Sequence, residues 1–249
     1  MTDEPREPRE PRPPATLDEE LLGAEVESIV STQSDAARVE RIRGELAQGF
    51  RALARVGAAV SIFGSSRTPP DHPEYDLARA TARTLGEAGF AIITGGGPGI
   101  MEAANRGAQD AGALSIGLNI DLPFEQGINL FVDLPLHFHY FFTRKVMFVR
   151  YASAFVVFPG GFGTIDEMFE ALTLIQTNKV HRFPAVLYGA RYWQGLMHWL
   201  RAMTVDAGNL SELDLDLLMV ADSPEQAVDT VVACNTGACE HEWHHQPVA

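Results

Sequence analysis

Apolar positions follow two alternating rhythms along this chain: short continuous runs, and longer stretches in which every third or fourth residue is apolar. The first rhythm suits strands buried on both faces and the second suits helices with one buried stripe. Strands are expected over residues 58–63, 90–94, 114–118, 130–132, 154–158, 185–188 and 218–220. Helices are expected over 73–88, 99–111, 139–151, 164–177, 191–206 and 223–234. Ahead of them, Leu22, Val26, Ile29 and Val30, then Val39, Ile42, Leu46, Phe50 and Leu53, predict two helices suited to packing or oligomerisation. Regular alternation of strand and helix predicts an α/β fold, a doubly wound, Rossmann-like, mainly parallel sheet of about seven strands with helices on both faces.

This pattern divides the chain into an acidic, proline-rich tail (1–16), an N-terminal helical extension (17–56), a Rossmann-like catalytic domain (57–235) and a C-terminal tail (236–249). In doubly wound sheets ligands bind beyond the carboxyl ends of the strands. Three loops leave such ends here: Gly64-Ser65-Ser66-Arg67, the stretch from Thr94 to Met101, and Pro159 to Thr164.

The third loop carries the chemistry. In Pro159-Gly160-Gly161-Phe162-Gly163-Thr164-Ile165-Asp166-Glu167, three glycines clear side-chain bulk from a strand-to-helix turn whose unpaired amides and dipole favour an anion. A phosphate monoester fits that description. A carboxylate repels phosphate, so Glu167 points instead to a sugar or base attached to it, or else to a carboxylate that only complements the helix dipole. Gly95-Gly96-Gly97-Pro98-Gly99 has Ile100 where a dinucleotide fingerprint needs its third glycine, which argues against a Rossmann dehydrogenase. Ser65 and Arg67 offer a hydroxyl and a guanidinium suited to ribose or phosphate. Glu102 and Asn105 are left as residues of the helix surface.

Net charge, −14 over 249 residues, argues against a nucleic-acid backbone as partner. No apolar run approaches the roughly 20 residues that span a bilayer, and the N-terminus is unlike a signal peptide. The two cysteines, Cys234 and Cys239, make no disulfide framework, and a reducing cytoplasm is the default location. Neither they, with His241, His244 and His245, nor His137 and His139 have a recognised ligand spacing, so no metal is expected.

The run from Pro159 to Glu167 resembles the PGGxGTxxE signature of the LONELY GUY family of cytokinin-activating phosphoribohydrolases. Arg144-Lys145 resembles the Arg-Lys pair that this family places ahead of its glycine loop, and Thr94-Gly95-Gly96-Gly97-Pro98-Gly99-Ile100-Met101 is similar to its first glycine loop. The likeness spans most of residues 57–225. It implies hydrolysis of the N-glycosidic bond of a nucleoside 5′-monophosphate, giving free base and ribose 5-phosphate, with Arg144 and Glu167 catalytic and no cofactor. It further implies substrate contacts from Gly160, Gly161, Gly163, Thr164, Lys145, Thr173, Gly96, Gly97 and Glu125, and a homo-oligomer, dimer or hexamer. Where plant-type members have Met-His-Glu/Gln-Arg-Lys, this chain has Phe141-Phe142-Thr143-Arg144-Lys145, a departure that bears on base specificity.

An older label of such proteins, lysine decarboxylase, finds no support, because a Schiff-base lysine with a pyridinium partner is required and Lys145 and Lys179 are the only lysines. Two other readings remain open at this level: a nucleotide carrier or sensor with a similar glycine loop, and a hydrolase of plain AMP or another purine nucleotide.

Overall fold

The strands are four to six residues long and rich in Val, Ile, Phe and Ala: β1 (Ala59–Phe63), β2 (Ala91–Thr94), β3 (Ser115–Ile120), β4 (Leu134–Phe138), β5 (Ala154–Val157), β6 (Ala185–Tyr188) and β7 (Leu218–Ala221), the five inner ones buried on both sides and the two edges, β4 and β7, partly exposed. A computed structural model describes residues 13–23, 33–123, 127–180 and 183–239. The strands form one seven-stranded sheet, in the order β4-β3-β2-β1-β5-β6-β7. Every pairing is parallel. This is the α/β doubly wound fold that the alternation predicts. The strand order reverses beside β1, where β2 lies on one side and β5 on the other, and there the loops after β1 and β5 separate to open a crevice.

Because strand side chains alternate between faces, each strand feeds two cores. Val60, Ile62, Ile92, Val156 and Val186 pack against α3 (Pro73–Glu87), α4 (Ile100–Asp110) and α9 (Pro224–Thr236). Phe63, Ile93, Phe155, Val157 and Leu187 pack on the other face against α2 (Asp35–Leu53), α5 (Phe141–Tyr151), α6 (Phe162–Gln176) and α7 (Ala190–Trp199). Burying one such Val, Ile or Phe is worth about 1.5–3 kcal/mol, so the frame holding the loops is fixed from both sides. Two short helices complete the set among the described residues, α1 (Leu17–Leu22) and α8 (Glu212–Leu215).

Several expectations shift. Residues 130–132 are not a strand. Leu130 is 93% exposed, and Asn129 holds the segment in a turn by accepting from the Phe131 amide and donating to the Gly96 and Gly97 carbonyls. The edge strand forms four residues later, where Leu134, Leu136 and Phe138 alternate inward. The helix expected to begin at 164 begins at Phe162, so Gly163 already lies in its first turn. The one expected over 191–206 is α-helical to Trp199 and then π-helical over Leu200–Val205.

In the extension, Leu53 joins the sheet core, whereas Leu22 and Val39 face solvent. Val26, Ile29 and Val30, the tail over 1–12, and His241, His244 and His245 lie outside the described residues. Cys234 and Cys239, from which no disulfide framework is expected, are joined as a single disulfide. No helix among the described residues is long and apolar enough to cross a membrane.

Candidate functional site

The three loops singled out in the sequence meet at the carboxyl edge of the sheet. Ser65 ties them together: its amide donates to the Pro159 carbonyl at 2.9 Å, and its carbonyl accepts from the Ile100 amide at 3.0 Å. Gly99 makes this approach possible. Its φ is +70°, and a Cβ there would sit 2.4 Å from the Ser65 oxygen. Between the loops lies a cavity of about 750 Å³ whose walls include Ser65, Arg67, Gly97, Asn119, Arg144, Gly163, Thr164 and Glu167. Both α4 and α6 start at this cavity with a glycine as N-cap and no side chain covering their first amides. Two helix N-termini therefore turn positive dipole ends, without a side-chain cap, toward one space, which suits an anionic group.

Opposite those amides stand Arg144 and Glu167. On α6, Met168, Ala171 and Ile175 make the core stripe, while Thr164 and Glu167, one turn apart, are buried at the cavity end. On α5, Arg144 lies three residues after Phe141 and four before Phe148, spacings that share one helix face. Its guanidinium accordingly sits over both rings, 5.0 Å from the first centroid and 5.6 Å from the second. The guanidinium and the carboxylate are 4.0 Å apart, too far for a hydrogen bond.

Glu167 is 4% exposed, and its Oε2, like Arg144 Nε, is buried without a hydrogen-bond partner. Burial pushes the Glu167 carboxyl up to about 7, with Arg144 pulling the other way. Burial likewise lowers the Arg144 pKa, opposed chiefly by Glu167. Unsatisfied buried polar atoms are costly, of the order of 1–3 kcal/mol each. Here they border a cavity large enough for a ligand.

Not every residue singled out in the sequence lines this cavity. Ser65, Arg67, Gly97, Arg144, Gly161, Gly163, Thr164 and Glu167 do. Lys145 does not. It turns to the other side of α6, where its ammonium pairs with Asp166 at 2.9 Å and Glu170 at 3.0 Å, on the wall of a separate hollow of about 1010 Å³. Thr173 is also displaced. It lies on the exposed side of α6, with its hydroxyl donating to the Phe169 carbonyl, because six residues along a helix turn it away from Glu167. Gly160 and Gly96 sit behind the lining. A Cβ on Gly160 would strike the Thr164 side chain, and its carbonyl accepts from Tyr192 Oη, while Gly96 packs on Gly117. Glu125 lies outside the described residues.

Other residues of the site went unread. Asn105, assigned to the helix surface, is fully buried, and it joins Thr94, Ser115 and Asn129 in hydrogen bonds that brace the Gly96–Gly97 turn. Glu102 accepts from Tyr75 Oη instead of lining the cavity. Asn119, Met101 and Phe63 form further wall. Asn119 had a signal, a lone amide near the end of the otherwise apolar run Ser115-Ile116-Gly117-Leu118-Asn119-Ile120.

Known proteins bear on this geometry. The family described as "Possible lysine decarboxylase" matches residues 101–231. A cytokinin riboside 5′-monophosphate phosphoribohydrolase of Mycobacterium marinum is 27% identical over 176 residues, 68% of this chain and 89% of that protein. A pyrimidine/purine nucleotide 5′-monophosphate nucleosidase of Escherichia coli is 31% identical over 135 residues, 47% of this chain and 28% of that protein. Among solved structures, the molybdenum cofactor binding protein of Rippkaea orientalis superposes with a TM-score of 0.54 at 21% identity, over 72% of this chain and 98% of that one. At that identity the likeness speaks for the fold alone. The matched segment contains Arg144, the glycine loop and Glu167, the residues that face one another across the cavity, and the chain belongs to the LONELY GUY family, whose sequence description is "Possible lysine decarboxylase".

Proposed function

We propose that the chain hydrolyses the N-glycosidic bond of adenosine 5′-monophosphate or its N6-substituted forms, releasing the base and ribose 5-phosphate. The observation that carries this reading is a buried, unpartnered carboxyl, with a pKa of about 7, facing an arginine across a cavity rimmed by two uncapped helix N-termini. The 5′-phosphate would rest on the amides around Gly161 to Thr164, with the Thr164 hydroxyl beside them. That remote anchor holds the sugar against Glu167.

As the bond from C1′ to the base nitrogen breaks, positive charge grows on the ribose ring, and ionised Glu167 stabilises it while orienting water toward C1′. The water oxygen bonds to C1′, the bonding pair leaves with the base, and the water proton ends on the departing nitrogen. Arg144 is a poor proton donor and acts by charge and hydrogen bonding, on the phosphate or on the departing base. A decarboxylase reading fails for want of a lysine in the cavity, since Lys145 is paired elsewhere and Lys179 does not line it. The names of the M. marinum and E. coli relatives support hydrolysis at the nucleoside monophosphate level.

We further infer a homo-oligomer, supported by Phe141, Phe142 and Val146, each about two-fifths exposed along α5. The test is release of base and ribose 5-phosphate from AMP and from isopentenyladenosine 5′-monophosphate, with Glu167→Ala as control. Glu167-dependent release from either nucleotide is expected. Tight nucleotide binding with no release would convert the protein into a carrier.

A further inference from the structure

Outside the nucleotide cavity, the sheet edge carries a group of ligands that the sequence does not announce. His137 and His139, two apart at the end of β4, lie on the same side of the strand. Parallel pairing of Asn119 with His137 and of Ile120 with Phe138, continued by the Asp121 amide donating to the Phe138 carbonyl at 3.1 Å, brings Asp121 level with them. One ligand atom from each of Asp121, His137 and His139 falls within 4.8 Å of the others. His137 Nε2 is 2.6 Å from Asp121 Oδ1, and His139 Nε2 is 3.6 Å from Asp121 Oδ2. Both imidazoles thus turn the same nitrogen toward one carboxylate.

The second observation lies behind His139. Its Nδ1 is 2.8 Å from Oε1 of Glu45, a residue of α2 only 5% exposed. Glu45 also accepts from the His139 amide at 3.2 Å and from Thr143 Oγ1 at 2.7 Å, so its carboxylate is fixed. A carboxylate on Nδ1 leaves the proton there and presents the Nε2 lone pair outward, the arrangement that orients metal-bound histidines.

The geometry points to a divalent transition-metal site, Zn²⁺ as first candidate, held by His137 Nε2, His139 Nε2 and an Asp121 oxygen, with Glu45 as the buried orienting carboxylate. Two imidazoles and one carboxylate are a set that Zn²⁺ accepts, and His137, about half exposed, leaves the remaining position to water. The two nitrogens meet the two oxygens of one carboxylate at 2.6 and 3.6 Å, and all three ligand atoms fall within 4.8 Å, so side-chain rotation suffices to reach the roughly 3.3 Å spacing around a tetrahedral ion with bonds near 2.0–2.1 Å. Asn119 and Leu122, on either side of Asp121, line the nucleotide cavity. A bound ion would therefore tie the end of β3, the end of β4 and α2 together at the cavity rim.

The experiment titrates chelator-treated full-length protein with Co²⁺, followed by its visible absorption, and with Zn²⁺, followed by calorimetry, beside His137→Ala, Asp121→Asn and Glu45→Gln. His137 and Asp121 are partly exposed, so their variants keep the core, which an unchanged circular dichroism spectrum verifies. The expected result is that His137→Ala and Asp121→Asn each remove one bound equivalent and its Co²⁺ spectrum, while Glu45→Gln weakens binding about 10- to 100-fold. His241, His244 and His245 offer other ligands, which is why the loss of one equivalent is the criterion. Metal uptake identical in His137→Ala, Asp121→Asn and the parent protein, or no uptake by the parent protein, overturns the assignment.

Discussion

Glu167 is held where its charge is costly, and that cost sets two expectations. Its carboxyl titrates at about 7 in the fold against an ordinary 4.5. The fold therefore binds this proton more tightly than the unfolded chain does, and the associated stability is complete below pH 4.5 and lost as pH rises through 7. Glu167→Gln keeps the neutral shape and removes the titration. Its unfolding free energy should lack the parent's decline between about pH 4.5 and 7, a difference of about 3 kcal/mol at most. Chemical denaturation at pH 5 and pH 8 measures it, and parallel pH slopes for the two proteins would refute the buried titration. The same substitution should lower kcat for nucleotide hydrolysis by about 100-fold or more. Arg144 pulls the Glu167 pKa down, so Arg144→Ala should move that titration further above 7, as followed by carboxyl chemical shifts. Turnover in the parent protein should climb with pH across this range, because the ionised form is the one that meets a cationic sugar.

At the scale of elements, the site is a product of how helices begin. Both α4 and α6 have glycine in place of a capping side chain, which gives up only about a few tenths of a kcal/mol of helix stability each and leaves their first turns without a side-chain cap. Gly99 also has the backbone conformation that lets Ser65 bridge to β5's loop, with φ at +70° and no room for a Cβ. Gly99→Ala should thus destabilise the protein by about 1–3 kcal/mol in urea unfolding and raise KM for the nucleotide more than it changes the far-ultraviolet spectrum. These loops were readable as sequence because glycine runs between an apolar strand and an amphipathic helix have few other causes. Which glycines line the cavity was not, since helix register decides it: α6 starts at Phe162, and Gly160 ends up behind Thr164. Thr173 and Lys145 lie off the cavity wall for a related reason. Thr173 is six residues past Glu167 on α6 and Lys145 one residue past Arg144 on α5, and helical rotation turns each to another surface.

For the whole molecule, α2 couples the N-terminal extension to the site. Leu53 joins the sheet core, and Glu45 holds the start of α5, the helix that carries Arg144. Exposed Phe142 and Val146 on that helix support self-association, so light scattering should give a mass at least twice the 27.2 kDa chain, and Val146→Glu should reduce it. A monomer at micromolar concentration would refute the inferred assembly. Taken by itself, the sequence determined the strand and helix rhythm, the parallel α/β architecture and the glycine loops, because periodicity, strand propensity and loop chemistry are local properties, while the family resemblance singled out Arg144 and Glu167. Tertiary structure alone decided the strand order and the edge strand at Leu134–Phe138, the burial of Asn105, the approach of Asp121 to His137 and His139, and the elevated Glu167 pKa. Those depend on which distant segments exclude water from a given atom, and desolvation by distant chain leaves no mark in the local pattern of residues.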